Sequence, residues 1–163
     1  MINVVGHAEC VGVDVETDPW IALNVSWQVK SRSDTLYLMI TGLEGGYVEL
    51  KVNSMDGALV ELVVVDEPPA GVGYDGLPEL KDESQCLVPT LDLNNWSWRR
   101  TPDYSEPKER VSRAASKLGM SVREKIVTLR LSESDPVEFI GGGPVRIGLS
   151  AGGELSCLVV LRD

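Results

Sequence analysis

Apolar and polar residues alternate at period two along most of the chain, most clearly between Thr35 and Val65. There Val48, Leu50 and Val52 alternate with Tyr47, Glu49 and Lys51, the pattern of a strand with one buried face. Met55-Asp56-Gly57 supplies a tight turn, and Ala58 to Val65 reads as the returning strand. Upstream, Val11, Val13 and Val15 share one parity, as do Ile21, Leu23, Val25, Trp27 and Val29, with Thr17-Asp18-Pro19 turning between them. Downstream, Lys125 to Leu131 alternates again. Val137 to Ile140 leads to Gly141-Gly142-Gly143-Pro144, and Val145, Ile147 and Leu149 precede a turn at Ala151-Gly152-Gly153 and a last strand from Leu155 to Leu161. Segments 48–65 and 145–161 share one plan, V-x-[LI]-x-[VL] followed by a Gly turn and an apolar strand, which fits either a duplication or generic hairpin chemistry.

Three stretches depart from this pattern. Residues 66–90 combine paired prolines, repeated glycines and carboxylates, and predict a long loop. Leu93 to Arg100 packs Trp96 and Trp98 beside Arg99 and Arg100, either as an exposed recognition surface or as an internal cover over the sheet. Ser105 to Leu118 predicts a helix: Ser105 caps it, Pro107 suits its first turn, and Gly119 suits its end. Val111, Ala114, Ala115 and Leu118 form its apolar stripe, with Lys108, Arg110, Arg113 and Lys117 on the other face. The expected fold is therefore mainly β (α+β), one domain over residues 1–163: an antiparallel meander or curved sheet with one helix packed on a face.

Composition refines this picture. The 163 residues suffice for a real core, and the formal charge of −10 is unevenly spread. Residues 1–90 hold 15 acidic and 4 basic residues, whereas 91–124 hold 5 acidic and 7 basic. Such a chain repels nucleic acid over most of its surface and attracts a basic partner. No apolar run approaches the length of a membrane span, and the first residues lack the basic head and apolar run of a signal peptide, so a cytoplasmic location is expected. Without secretion the triplets Asn24-Val25-Ser26 and Asn95-Trp96-Ser97 carry little meaning as glycosylation sites. Cys10, Cys86 and Cys157 are far apart and form no CxxC pair, so they read as buried or incidental thiols.

Candidate chemistry is sparse. His7 and Cys10 would need metal ligands from elsewhere. Gly141-Gly142-Gly143 is followed by a strand, not the helix a phosphate loop requires. Ser105-Glu106-Pro107-Lys108 has the Ser-x-x-Lys spacing, but the Ser-Asp-Asn and Lys-Thr-Gly boxes are missing. Asp66 with Glu67, or Asp82 with Glu83, could form a carboxylate pair, without the Asp-x-Asp-x-Asp-Gly pattern of a calcium loop. No catalytic residue, cofactor or metal is assigned.

In its size, acidity and β-rich body the chain resembles the small acidic immunity proteins that bacteria use as antidotes to secreted polymorphic toxins. The resemblance implies a non-catalytic inhibitor that binds a cognate toxin domain and blocks its active site. A basic nuclease is one such target, because an acidic partner gains encounter rate and can occupy its phosphate groove. The expected contacts are Asp66, Glu67, Asp75, Glu79, Asp82 and Glu83 with Tyr74 as aromatic anchor, and then Trp96 and Trp98. Direct nucleic-acid or membrane binding is not expected, and the chain itself is read as a monomer or homodimer. The alternatives are a structural or self-assembling β protein and, behind it, an enzyme using a carboxylate pair.

Overall fold

The computed structural model describes residues 2–100 and 110–163. It is mainly β, built from two sheets. The strands are β1 (Val4–Asp18), β2 (Ile21–Val29), β3 (Thr35–Gly42), β4 (Tyr47–Asn53), β5 (Leu59–Asp66), β6 (Leu87–Leu91), β7 (Arg99–Arg100), β8 (Arg110–Ser116), β9 (Gly119–Arg123), β10 (Ile126–Arg130), β11 (Pro136–Gly142), β12 (Val145–Ser150) and β13 (Leu155–Leu161). The larger sheet has the order β6-β1-β2-β5-β4-β3-β8-β7, and the smaller β11-β12-β13-β10-β9.

Alternation decides which side chains meet. Leu36, Leu38 and Ile40 of β3, Val48, Leu50 and Val52 of β4, and Leu23, Val25 and Trp27 of β2 are buried. They join Val127, Leu129, Val145, Ile147, Leu158 and Val160 of the smaller sheet in one apolar cluster. The two sheets therefore face each other across a shared core, as paired amphipathic sheets must. They are also tied at their ends. Leu155 N–H donates to Ile2 O at 2.8 Å and Val4 N–H to Gly153 O at 2.8 Å. At another corner only Lys117 and Leu118 separate β8 from β9, and the Ser116 hydroxyl donates to Leu131 O at 2.9 Å.

The two hairpins with similar sequences turn in similar ways. Gly57 and Gly153 have φ of 74° and 77°, a region costly for residues with a Cβ. Asn53 N–H bonds Ala58 O in one turn and Ser150 N–H bonds Glu154 O in the other, both at 2.9 Å.

Four expectations are corrected. The helix predicted over 105–118 is not formed in its described part: Arg110–Ser116 is strand β8, while 105–109 lie outside the described residues. In the strand the stripe splits between the faces: Ala114 turns inward with Ser112 beside β3, while Val111 and Ala115 take the other face. Pairing with β3's edge satisfies a row of backbone groups that a helix would have left open, which outweighs helical propensity. Second, this pairing is parallel, Leu36↔Arg110 through Gly42↔Ser116, so the sheet is not purely antiparallel. Third, Cys10 and Cys86 are joined in a disulfide, and only Cys157 is a buried free thiol. Fourth, the 66–90 loop is shorter than expected, because Asp66 ends β5 and Leu87 begins β6.

Candidate interaction surface

Strands β12 and β13 are buried along nearly their whole length, Val145–Ser150 entirely and Leu155–Val160 likewise. A strand against one core buries only alternate residues, so the smaller sheet must be covered on its outer face too. The cover is the chain between β5 and β6. It forms a strap that crosses from edge strand β9 to edge strand β11.

The strap begins by pairing with β9. Met120 N–H donates to Pro69 O at 2.9 Å, and Gly71 N–H donates to Met120 O at 3.0 Å. Gly73 then passes so close to the sheet that a Cβ there would lie 2.3 Å from Ser121 Oγ. Over β10, Tyr74 N–H donates to Thr128 Oγ1 at 3.1 Å, and Asp75 pairs with Arg123 at 2.9 Å. The Tyr74 ring meets Phe139 edge-on with centroids 5.7 Å apart. Tyr74, Leu77 and Phe139 together cover Ile126, Cys157 and Val159, a second apolar cluster. Over β12, Arg146 Nε donates to Pro78 O at 2.9 Å, and its Nη1 donates to Gly143 O at 2.9 Å and Val145 O at 3.1 Å. At the far side Cys86 lies against Gly142 and is bonded to Cys10. Five strands at the usual spacing make this crossing roughly 20 Å long.

The electrostatics follow from this route. Arg146 is 9% exposed and its cation is held by carbonyl oxygens. Burial pushes the Cys157 thiol above its ordinary value, and burial likewise raises the Tyr74 phenol. The Ser84 hydroxyl and N–H beside Asp82 hold that carboxyl below the usual range.

The predicted contact residues separate into two sets. Asp66, Glu67, Asp75, Glu79, Asp82 and Glu83 are all exposed, strung along the strap. Tyr74 shares the strap, but it is half-buried with its ring packed on Phe139. Trp96 and Trp98 lie elsewhere, on the segment after β6, half-buried against the main core. Trp98 Nε1 donates to Leu93 O at 3.0 Å, while Trp96 Nε1 is buried with no partner among the described residues.

Arg146, Phe139 and Arg123 carry no signal as single residues, so sequence reasoning passed over them as anchors of the strap. The available signal was the unbroken burial implied by the Leu155-Ser-Cys-Leu-Val-Val-Leu161 run, which demands a cover on both faces.

No group of three or more His, Cys, Asp or Glu side chains among the described residues could hold a metal ion, and the Cys10 sulfur is taken by the disulfide. A cleft of about 420 Å³ opens at the corner of the two sheets beside the start of the strap. Its charges are paired: Lys117 lies 3.9 Å from Glu44 and 3.6 Å from Glu133, and Arg130 lies 3.2 Å from Asp135. The chain matches no protein-family model and no curated protein by sequence.

Proposed function

We propose that this protein is a non-catalytic binding protein, acting as one domain, that neutralises a basic protein partner, a toxin domain such as a nuclease, through its strap. The observation that carries this reading is the anchored acidic strap. Between Asp66 and Cys86 the chain carries six carboxylates against the single cation of Lys81. Main-chain hydrogen bonds fix the strap at one end and a disulfide fixes it at the other. A segment ordered before it meets its partner loses little conformational entropy on binding, and a line of like charge about 20 Å long speeds encounter with the opposite charge. Tyr74 in this reading stiffens the strap from below. Trp96 and Trp98 belong to a separate, secondary surface.

The reading places the protein in the cytoplasm, where its target would otherwise act. The Cys10–Cys86 bond pulls the other way, because disulfides persist in oxidising compartments. Counting free thiols in protein taken directly from its source decides: one thiol per chain means the bond is formed at the site of action, three that it is not.

The function is tested by affinity capture of the tagged chain from its source at low and high salt. One basic protein retained in equimolar amount at low salt supports the proposal, and recovery of the bait alone removes it. With that partner purified, replacing the strap carboxylates by Asn and Gln lowers the association rate by about tenfold at low ionic strength and flattens its salt dependence. Unchanged kinetics would exclude the strap as the contact.

A further inference from the structure

Three strand edges in this fold are closed by pairing. β8 covers the edge of β3, the start of the strap covers β9, and Gly57 and Ala58 bridge to β6. β1 is different. Its first half, Val4 to Glu9, pairs with β6, and its second half, Cys10 to Asp18, pairs with β2. The edge opposite β2 is therefore open from Val11 to Thr17. Cys10 N–H donates to Cys86 O at 2.9 Å, and no main-chain bond follows it on that side among the described residues. At the usual rise per residue this edge is roughly 20 Å long. Its two faces differ. Val13 and Val15 are half-buried against the main core, while Asp14 and Glu16 point the other way and are exposed. Asp14 accepts a 3.4 Å bond from Gln28 Nε2, and Glu16 has no ion pair among the described residues. Val11, at the bulge that follows Cys10, is 66% exposed.

We infer that this edge is a docking site for an extended segment of another protein, one in which apolar and basic side chains alternate. Unpaired main-chain groups along a strand edge are a template for one more strand. Residues directly opposite on neighbouring strands share a face, so an added strand sets its side chains alternately in two rows. One row lies beside Val13 and Val15, where apolar groups extend the cover of the core. The other lies beside Asp14 and Glu16, where lysine or arginine is matched. Main-chain hydrogen bonds supply the affinity and the two rows supply the selectivity. A second copy of this chain is a poor occupant. Paired antiparallel through the same edge, it brings Asp14 and Glu16 opposite or diagonal to their own counterparts, where like charges are destabilising. An acidic segment is refused on the same ground. The inference does not rest on the neutralisation of a toxin, and the strap's carboxylates form no part of this edge.

The test is a titration of the isotope-labelled full chain, at low ionic strength, with a capped octapeptide of alternating lysine and valine. NMR and amide hydrogen exchange follow the binding. Saturable binding is expected, with slowed exchange at alternate amides between Val11 and Thr17. A glutamate–valine peptide of the same length should not bind. Asp14→Lys together with Glu16→Lys should weaken binding of the lysine peptide by at least about tenfold. Both side chains are exposed, and circular dichroism confirms that the variant is folded. Two further peptides separate strand pairing from charge attraction alone, one N-methylated at every lysine main-chain nitrogen and the other at every valine. Strand pairing costs one of them at least about tenfold in affinity, because only alternate N–H groups face the edge, whereas charge attraction treats both alike. Equal binding of the two methylated peptides would overturn the inference. So would no saturable binding at millimolar peptide, a charge reversal without effect in folded protein, or protection confined to residues 66–86.

Discussion

Arg146 and Cys157 face the same side of the smaller sheet, both under the strap, and both are nearly inaccessible. The guanidinium donates to three carbonyl oxygens, so its fork geometry matters more than its charge. Arg146→Ala removes these charge-assisted bonds and leaves the oxygens of Pro78, Gly143 and Val145 without that donor. Urea unfolding should show a loss of about 2–4 kcal/mol. Arg146→Lys should recover only part of it, since one ammonium does not reproduce the fork. Full recovery by lysine would mean that charge alone is what counts. Cys157 gives a pH signature instead. Its folded pKa is raised by burial, so the fold favours the thiol over the thiolate. That contribution is complete below the unfolded value of about 8.5 and is lost as pH rises through the folded value. Comparing stability from pH 7 to 10 in the native chain and in Cys157→Ala isolates it. The native protein should lose more stability toward alkaline pH than the variant, and parallel curves would refute the assignment.

Among elements, the strap shows what the sequence disclosed and what it withheld. Period-two alternation locates β1 to β5 and β10 to β13, because each of these presents at least one face to a core, but it does not locate β6 to β9. The composition of 66–90 likewise identifies a segment unable to enter a sheet interior. What alternation cannot convey is long-range pairing. Residues 110–116 fit both a helical stripe and a strand, and the decision falls to β3, whose open edge lies about seventy positions earlier in the chain. The Cys10–Cys86 bond was hidden for the same reason: 76 positions separate two cysteines that become cross-strand neighbours only when β6 pairs with β1. Closing so long a loop constrains the unfolded chain, so replacing both cysteines by Ala should cost about 4 kcal/mol. The strap should nevertheless stay in place, because the β1–β6 ladder and the Pro69–Met120 bonds do not depend on sulfur. Hydrogen exchange at Gly71 and Tyr74 separates the two effects. Unprotected amides at these positions in folded double variant would mean that the disulfide itself holds the strap down.

On the scale of the whole molecule, the two sheets are finished differently on their outer sides. The smaller one is closed by the strap, with carboxylates turned outward. The larger one shows tyrosine, methionine, lysine, arginine and glutamate in ordered rows. The charge asymmetry of the sequence, with its acidic first 90 residues, places six of its carboxylates on the strap, from Asp66 to Glu83. The make-up of the larger sheet's rows required the register, since Glu16 and Arg113 are far apart in sequence and come to one row only through strand pairing.

The bond from Leu155 N–H to Ile2 O has a consequence for the order of events in making this protein. Its two ends are separated by nearly the full chain, and the β3–β8 and β1–β6 pairings are also distant in sequence. A chain emerging from the ribosome can pair the strands of the larger sheet first, all of which lie before Gly119, but it can complete neither the smaller sheet nor the shared core until β13 has been synthesised. Folding of this molecule is therefore a late, whole-chain event in the slow regime of topologies dominated by distant contacts. Until then, Leu23, Trp27 and Leu50 wait without the opposite half of their core.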